Sequence, residues 1–199
     1  ATRRRSHTWS PSAPPPPPLR AKEADAANLG PEPTTTKFTT SLKRATGVAI
    51  CLYGAIKLLV TLLNEKDDAA RKKAAGAIAA LCLENTGNQD NVEKSNGITK
   101  LVELLLPSLN DDVRAAAASA LAVLSNNNKK IQDKATAAGV IKPLVEMVQG
   151  ATDEQAKAEA ASALGSLSAA NFDNQQAIAE VGGIAPLVAV LGLHSDHAR

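Results

Sequence analysis

Aromatic side chains are almost missing. Trp9, Tyr53, Phe38 and Phe172 amount to 2% of the 199 residues. Sandwich and barrel cores lean on aromatic and β-branched residues, so this composition argues against them. The core must come from Ala, Leu, Ile and Val, which suits close packing of helices. Cysteine is also scarce. Cys51 and Cys82 both sit in apolar surroundings and read as two buried thiols. Two such residues give neither a disulfide framework nor metal-ligand spacing. The three histidines, His7, His194 and His197, stand in no pattern with acids or cysteines. No apolar run approaches the roughly 18 residues that span a bilayer. Nucleophile-elbow, phosphate-loop, zinc-protease and dinucleotide motifs are lacking as well. The expectation is no enzyme, no cofactor, no metal site and no membrane span.

Charge is small and unevenly placed. The net charge is +2. Residues 1–44 hold eight Lys/Arg against three Asp/Glu, or +5, and residues 45–199 hold fourteen against seventeen, or −3. The basic character belongs to the first segment, so a nucleic-acid role for the remainder has little support.

Residues 1–44 form a basic, Pro/Thr-rich tail. Pro14 to Pro18 cannot enter a helix or a central strand and favour the extended polyproline form. The Thr-rich stretch 34–40 adds no helical period. The tail is read as disordered or extended. It could be a solvated linker, a ligand for a proline-binding domain, or a targeting peptide led by Arg3, Arg4 and Arg5. The compartment is open: cytoplasmic, cytoskeletal, or an organelle reached through the basic tail.

From residue 45 the chain repeats itself. An Ile followed by Leu-Val occurs at Ile56, Ile98, Ile141 and Ile184, spaced by 42, 43 and 43 residues. "AAGAIAAL" (74–81) is echoed by "AASALAVL" (117–124) and "AASALGSL" (160–167). Each unit reads as a Gly-led helix, a polar break and a longer helix. Gly139 precedes "VIKPLVEMV", Pro143 fits a first helical turn, and Gly150 ends that helix. Thr152 is the expected cap of the next helix, with Gln155 at the capping-box position. Asn110, Asp111 and Asp112 open the corresponding helix through Leu124. Ala70, Ala74, Ala77, Ile78 and Leu81 fall on one side at a 3.6-residue period. One unit cannot bury that stripe, but a stack of units can.

These motifs resemble the armadillo repeat family, whose unit is about 42 residues with a G-x-I-x-x-L-V segment followed by A-A-x-A-L-x-x-L. The resemblance implies an all-α, right-handed α-solenoid of three-helix repeats over residues 45–199. The units are about 54–96, 97–138, 139–181 and a partial 182–199. Short first helices are expected near Asn88–Ser95, Asn128–Ala138 and Asn174–Val181. Residues 38–53 would be a capping helix or the remnant of an earlier unit.

The resemblance also implies a protein-binding groove along successive third helices. Its residues here would be Lys73, Gly76 and Ala80, then Ala116, Ser119 and Val123, then Glu159, Ser162 and Ser166. The nuclear-import adaptors of the family carry Trp and Asn in this groove. Ala80, Val123 and Ser166 stand where the Asn would be, and no unit holds a tryptophan. Import-type peptide binding is therefore disfavoured. The basic run Arg71, Lys72 and Lys73 is a candidate for an acidic partner or a solvated helix face, and Lys129-Lys130 reads as the latter.

The fourth unit raises one more expectation. His194 would begin its long helix, leaving Ile184, Leu187, Val188 and Leu191 without their cover. Burying each is worth roughly 1.5–3 kcal/mol. The sequence is then expected to be a fragment of a longer protein, or a partner completes the stack, the alternative being a frayed natural terminus. The functional expectation is a non-catalytic interaction scaffold, built as a structural or accessory subunit of a larger assembly. The alternative is an adaptor that holds one partner in its groove.

Overall fold

The computed structural model describes residues 54–196, with side chains through residue 190. The tail over 1–44, the segment 38–53 and Cys51 lie outside the described residues. Among the described residues there are ten helices and no strand. Counted from the short helix instead of the Gly-led one, the first unit supplies α1 (Ala55–Leu62) and α2 (Asp68–Cys82). The second supplies α3 (Thr86–Lys94), α4 (Gly97–Glu103) and α5 (Asp111–Ser125). The third supplies α6 (Lys129–Ala137), α7 (Ile141–Gly150) and α8 (Glu154–Ser168). The fourth supplies α9 (Phe172–Glu180) and α10 (Ile184–Asp196).

The long helices α2, α5 and α8 lie side by side, with α5 in the middle. Their interface is made of small residues. Ala117, Ala118, Ala120, Leu121 and Leu124 of α5 are all fully buried. Ten of the residues of α5 are buried, against four in α2 and five in α8. The middle helix is covered on both flanks, which is why it can be so rich in alanine: short side chains let helix axes approach. Of the expected stripe in α2, Ala74 and Ile78 are buried, while Ala70, Ala77 and Leu81 are half-buried. Their counterparts in α5 are shielded by α2 itself. Cys82 is fully buried, as its apolar context indicates.

Helix starts keep the period in polar chemistry. Asp67, Asn110 and Asp153 cap the long helices, each accepting from the first-turn amides. The cap of α8 is thus Asp153 rather than the expected Thr152. Thr152 is engaged elsewhere: its amide and hydroxyl both donate to Asp111 Oδ2 at 2.8 Å. Asn85, Asn128 and Asn171 cap the short helices. The short helices therefore start at Thr86, Lys129 and Phe172, so the first and third begin two residues before the expected positions. The residue before each of these caps is left-handed: Glu84, Asn127 and Ala170 have φ of 52°, 54° and 54°. The last element also differs from expectation. His194 does not start a new helix, because the backbone of α10 runs on from Ile184 to Asp196.

Glycine is required where a short helix meets the next Gly-led helix. A Cβ on Gly97 would lie 2.6 Å from Val92 Cγ1 and 2.9 Å from Val60 Cγ2. One on Gly183 would lie 2.8 Å from Ile178 Cγ2 and 2.9 Å from Val145 Cγ2. The third unit holds the buried Val140 at this register and faces it with Ala135, where the others have Val92 and Ile178. Val140 accordingly donates its amide to Ala135 O, as Gly183 does to Ile178 O. Volume is traded across the contact, so every unit closes to the same spacing.

Candidate functional site

The fold sets one face of the three long helices in register. Lys73, Gly76 and Ala80 sit at spacings of three and four on α2. Ala116, Ser119 and Val123 repeat the pattern on α5, and Glu159, Ser162 and Ser166 on α8. All nine are exposed or half-buried, and Ala74, Ala117 and Ala160 beside them are buried.

The chemistry of this row is mild. Its centre is Gly76, Ser119 and Ser162, so the surface is shallow. Its charges lie in different units. Lys73 forms no ion pair among the described residues, while Glu159 accepts a hydrogen bond from Gln155 Nε2 at 2.7 Å. The basic run beside it is not a uniform cationic patch. Arg71 pairs with Asp68 at 3.0 Å, and Lys72 crosses to Asp112 at 3.0 Å. Of the three, Lys73 is the exposed side chain without an ion pair among the described residues. Lys130 is likewise more than a solvated side chain. It pairs with Glu93 at 3.2 Å, and Lys134 pairs with the same carboxylate, tying α6 to α3 across a unit boundary. These two ammonium groups hold the Glu93 carboxyl below its ordinary range.

Among the described residues, no cluster of three or more potential metal ligands occurs. No described helix is long and apolar enough to cross a membrane.

Among the described residues, two apolar pockets border the row. The first, about 490 Å³, is lined by Leu58, Leu59, Ala77, Ala80 and Leu81. The second, about 430 Å³, lies between α8, α9 and α10 and includes Ser162, Gly165, Ile178 and Ile184. Ala80 and Ser162 therefore belong to both the row and a pocket. Sequence reasoning did not single out Gly165, Gln175 or Ile178. The same 43-residue register that located the row would have found Gln175, since Gln89 and Gln132 precede it.

No protein-family model matches the chain, and no curated protein does. Solved structures do match. An engineered protein is 28% identical with a TM-score of 0.69, over 74% of this chain and 59% of its own. The present chain thus spans a little over half the length of that molecule. A designed armadillo repeat protein in complex with the peptide (KR)4 is 24% identical with a TM-score of 0.69, over 81% and 71% of the two chains. The armadillo-repeats-only protein of Plasmodium falciparum is 19% identical with a TM-score of 0.61, over 74% and 67%.

Proposed function

We propose that this chain, a helical solenoid of the armadillo type, is a non-catalytic scaffold that holds another protein along its nine-residue row. The observation that carries the reading is the row's continuity. Equivalent accessible positions recur on three rigidly stacked helices, so a partner can be contacted in every unit. Small side chains leave room for a helix or a folded surface to lie close, where dispersion contacts accumulate. Lys73 and Glu159 at separate units would set its direction.

The row differs from what an extended basic peptide needs. It has no asparagine to pair with a peptide backbone and one carboxylate, Glu159. Seating within a larger assembly is the second part of the proposal. Ile184 is 54% exposed and Val188 62%, and as neighbours one turn apart they give an apolar patch that a neighbouring subunit would cover. The test is capture of the native partner by the wild-type chain and by Ser119→Arg with Ser162→Arg. Loss of capture with unchanged melting supports the row. Equal capture by both chains contradicts it.

A further inference from the structure

Each Gly-led helix is entered through a left-handed residue. At three entries that residue is glycine: Gly54, Gly139 and Gly182 have φ of 72°, 83° and 74°. At the entry to α4 it is Asn96, with φ of 60°. Asparagine takes this conformation more readily than most side chains, so the geometry is kept. The following residue is fixed by a different demand, since Val92 and Val60 leave no room for a Cβ at Gly97. Together these demands create the only Asn-Gly pair in the 199 residues. A side-chain amide stands directly before a backbone nitrogen that no side chain shields.

Both groups are available for reaction. Val140 and Gly183, at the register of Gly97, donate their amides to Ala135 O and Ile178 O. No bond from the Gly97 amide occurs among the described residues. The Asn96 side chain is exposed, so water has access to it. Its carbonyl oxygen accepts from the Thr99 hydroxyl at 3.0 Å, which draws electron density away from Cγ.

We propose that Asn96–Gly97 is a self-modification site, at which the side-chain amide is exchanged for a carboxylate. The Gly97 nitrogen, deprotonated by base, attacks Asn96 Cγ within the same chain. A C–N bond forms and closes a cyclic imide. The Cγ–Nδ2 bond breaks, and Nδ2 leaves as ammonia with the proton given up by Gly97. Water then adds to one imide carbonyl and opens the ring. Opening at Cγ gives aspartate, and opening at the backbone carbonyl gives isoaspartate. The sum is asparagine and water giving a carboxylate and ammonia, with nothing oxidised or reduced. Ring closure needs Asn96 to turn from its ψ of 23°, so local opening of the seven-residue α4 gates the step. Isoaspartate adds one carbon to the main chain beside a junction that has no spare room. It should loosen α4 against α3 and α1, whereas aspartate keeps the backbone unchanged.

The experiment holds the full chain in warm, mildly alkaline buffer and follows each asparagine by peptide mass spectrometry. Asn96 should gain one mass unit at least tenfold faster than Asn64 or Asn127, which are exposed and precede Glu65 and Asn128. Asn127 is also left-handed, with φ of 54°, so it isolates the effect of the following glycine. Thr99→Ala should slow the gain several-fold at unchanged melting temperature. An isoaspartate-specific methyltransferase should label the aged wild-type chain and leave Asn96→Gly unlabelled. The separated isoaspartate form should melt below Asn96→Asp. No gain at Asn96, or a gain no faster than that at Asn127, overturns the proposal. A rate untouched by Thr99→Ala removes the hydroxyl from the step. Equal melting of the isoaspartate form and Asn96→Asp contradicts the packing consequence.

Discussion

Asn171 donates its side-chain amide to the Gln132 carbonyl oxygen at 3.1 Å, and Asn128 makes the same bond to Gln89 at 2.9 Å. Both bonds span 39 residues and join successive units. The second N–H of Asn171 reaches Asp133 Oδ1 at 2.9 Å. This polar ladder fixes the register of a stack whose apolar face, being mostly alanine, would tolerate sliding. Gln132→Leu removes a buried group that serves three carbonyls and one amide. The expected cost is about 2–3 kcal/mol in chemical denaturation, from partners left buried and unbonded. A loss below about 0.5 kcal/mol would remove the ladder from the account.

The exchange of volume between Ile178 and Gly183 gives a second prediction. Gly183→Ala forces a carbon to within 2.8 Å of Ile178 and 2.9 Å of Val145. A loss of about 1–3 kcal/mol is expected. Adding Ile178→Ala, which recreates the pairing of Ala135 with Val140, should recover part of it. The double-mutant cycle checks this, and strict additivity would contradict the packing argument.

Acid sensitivity should concentrate at the unit boundaries. Asp111 is held below its ordinary range chiefly by the Thr152 hydroxyl, with the Thr152 and Asp153 amides and Arg114 also bonded to it. Asp133 is lowered by Asn171 and then by Lys129. A depressed carboxyl stabilises the fold above its unfolded value, here 3.8, and the contribution is lost as pH falls through the lower folded value. Stability measured by urea titration should therefore decline below that pH. Asp111→Asn should be less stable near neutrality and show a flatter decline. An unchanged slope would dissociate this carboxylate from the acid response.

A fourth prediction contrasts the two sides of α5. Ala120 is fully buried and Ser119 half-buried, one residue apart. Ala120→Asp places a charge in the helix seam and should cost more than about 3 kcal/mol, abolishing cooperative melting of the array. Ser119→Asp should cost less than about 1 kcal/mol. Similar losses from both would contradict the face assignment.

Much of this was legible in the sequence because the signal recurs. One alanine-rich helix is ambiguous, but three at a fixed interval, each preceded by Ile and Leu-Val, specify a stack. Local capping was less legible. Thr152 and Asp153 are both good caps, and only the neighbouring Asp111, which draws Thr152 away, decides between them. The left-handed residues before the caps were only partly visible: Asn127 is an asparagine, but Glu84 and Ala170 are neither glycine nor asparagine. Of the four side chains expected to lack cover, Ile184 and Val188 are exposed, Leu187 is half-buried against the core, and Leu191 lies outside the described side chains, while the register position of Gln175 was not foreseen. That glutamine acquires meaning only beside the bonds made by Gln89 and Gln132.

The central claim is that partners meet the row on the long helices. A photo-reactive residue placed at position 119, and in a separate chain at position 176, reports this directly when each is irradiated with the native partner. Position 119 lies in the row, and Gln176 lies on an exposed side of α9 outside it. The account predicts cross-links from 119 and few from 176. Abundant cross-linking at 176 with none at 119 would contradict it.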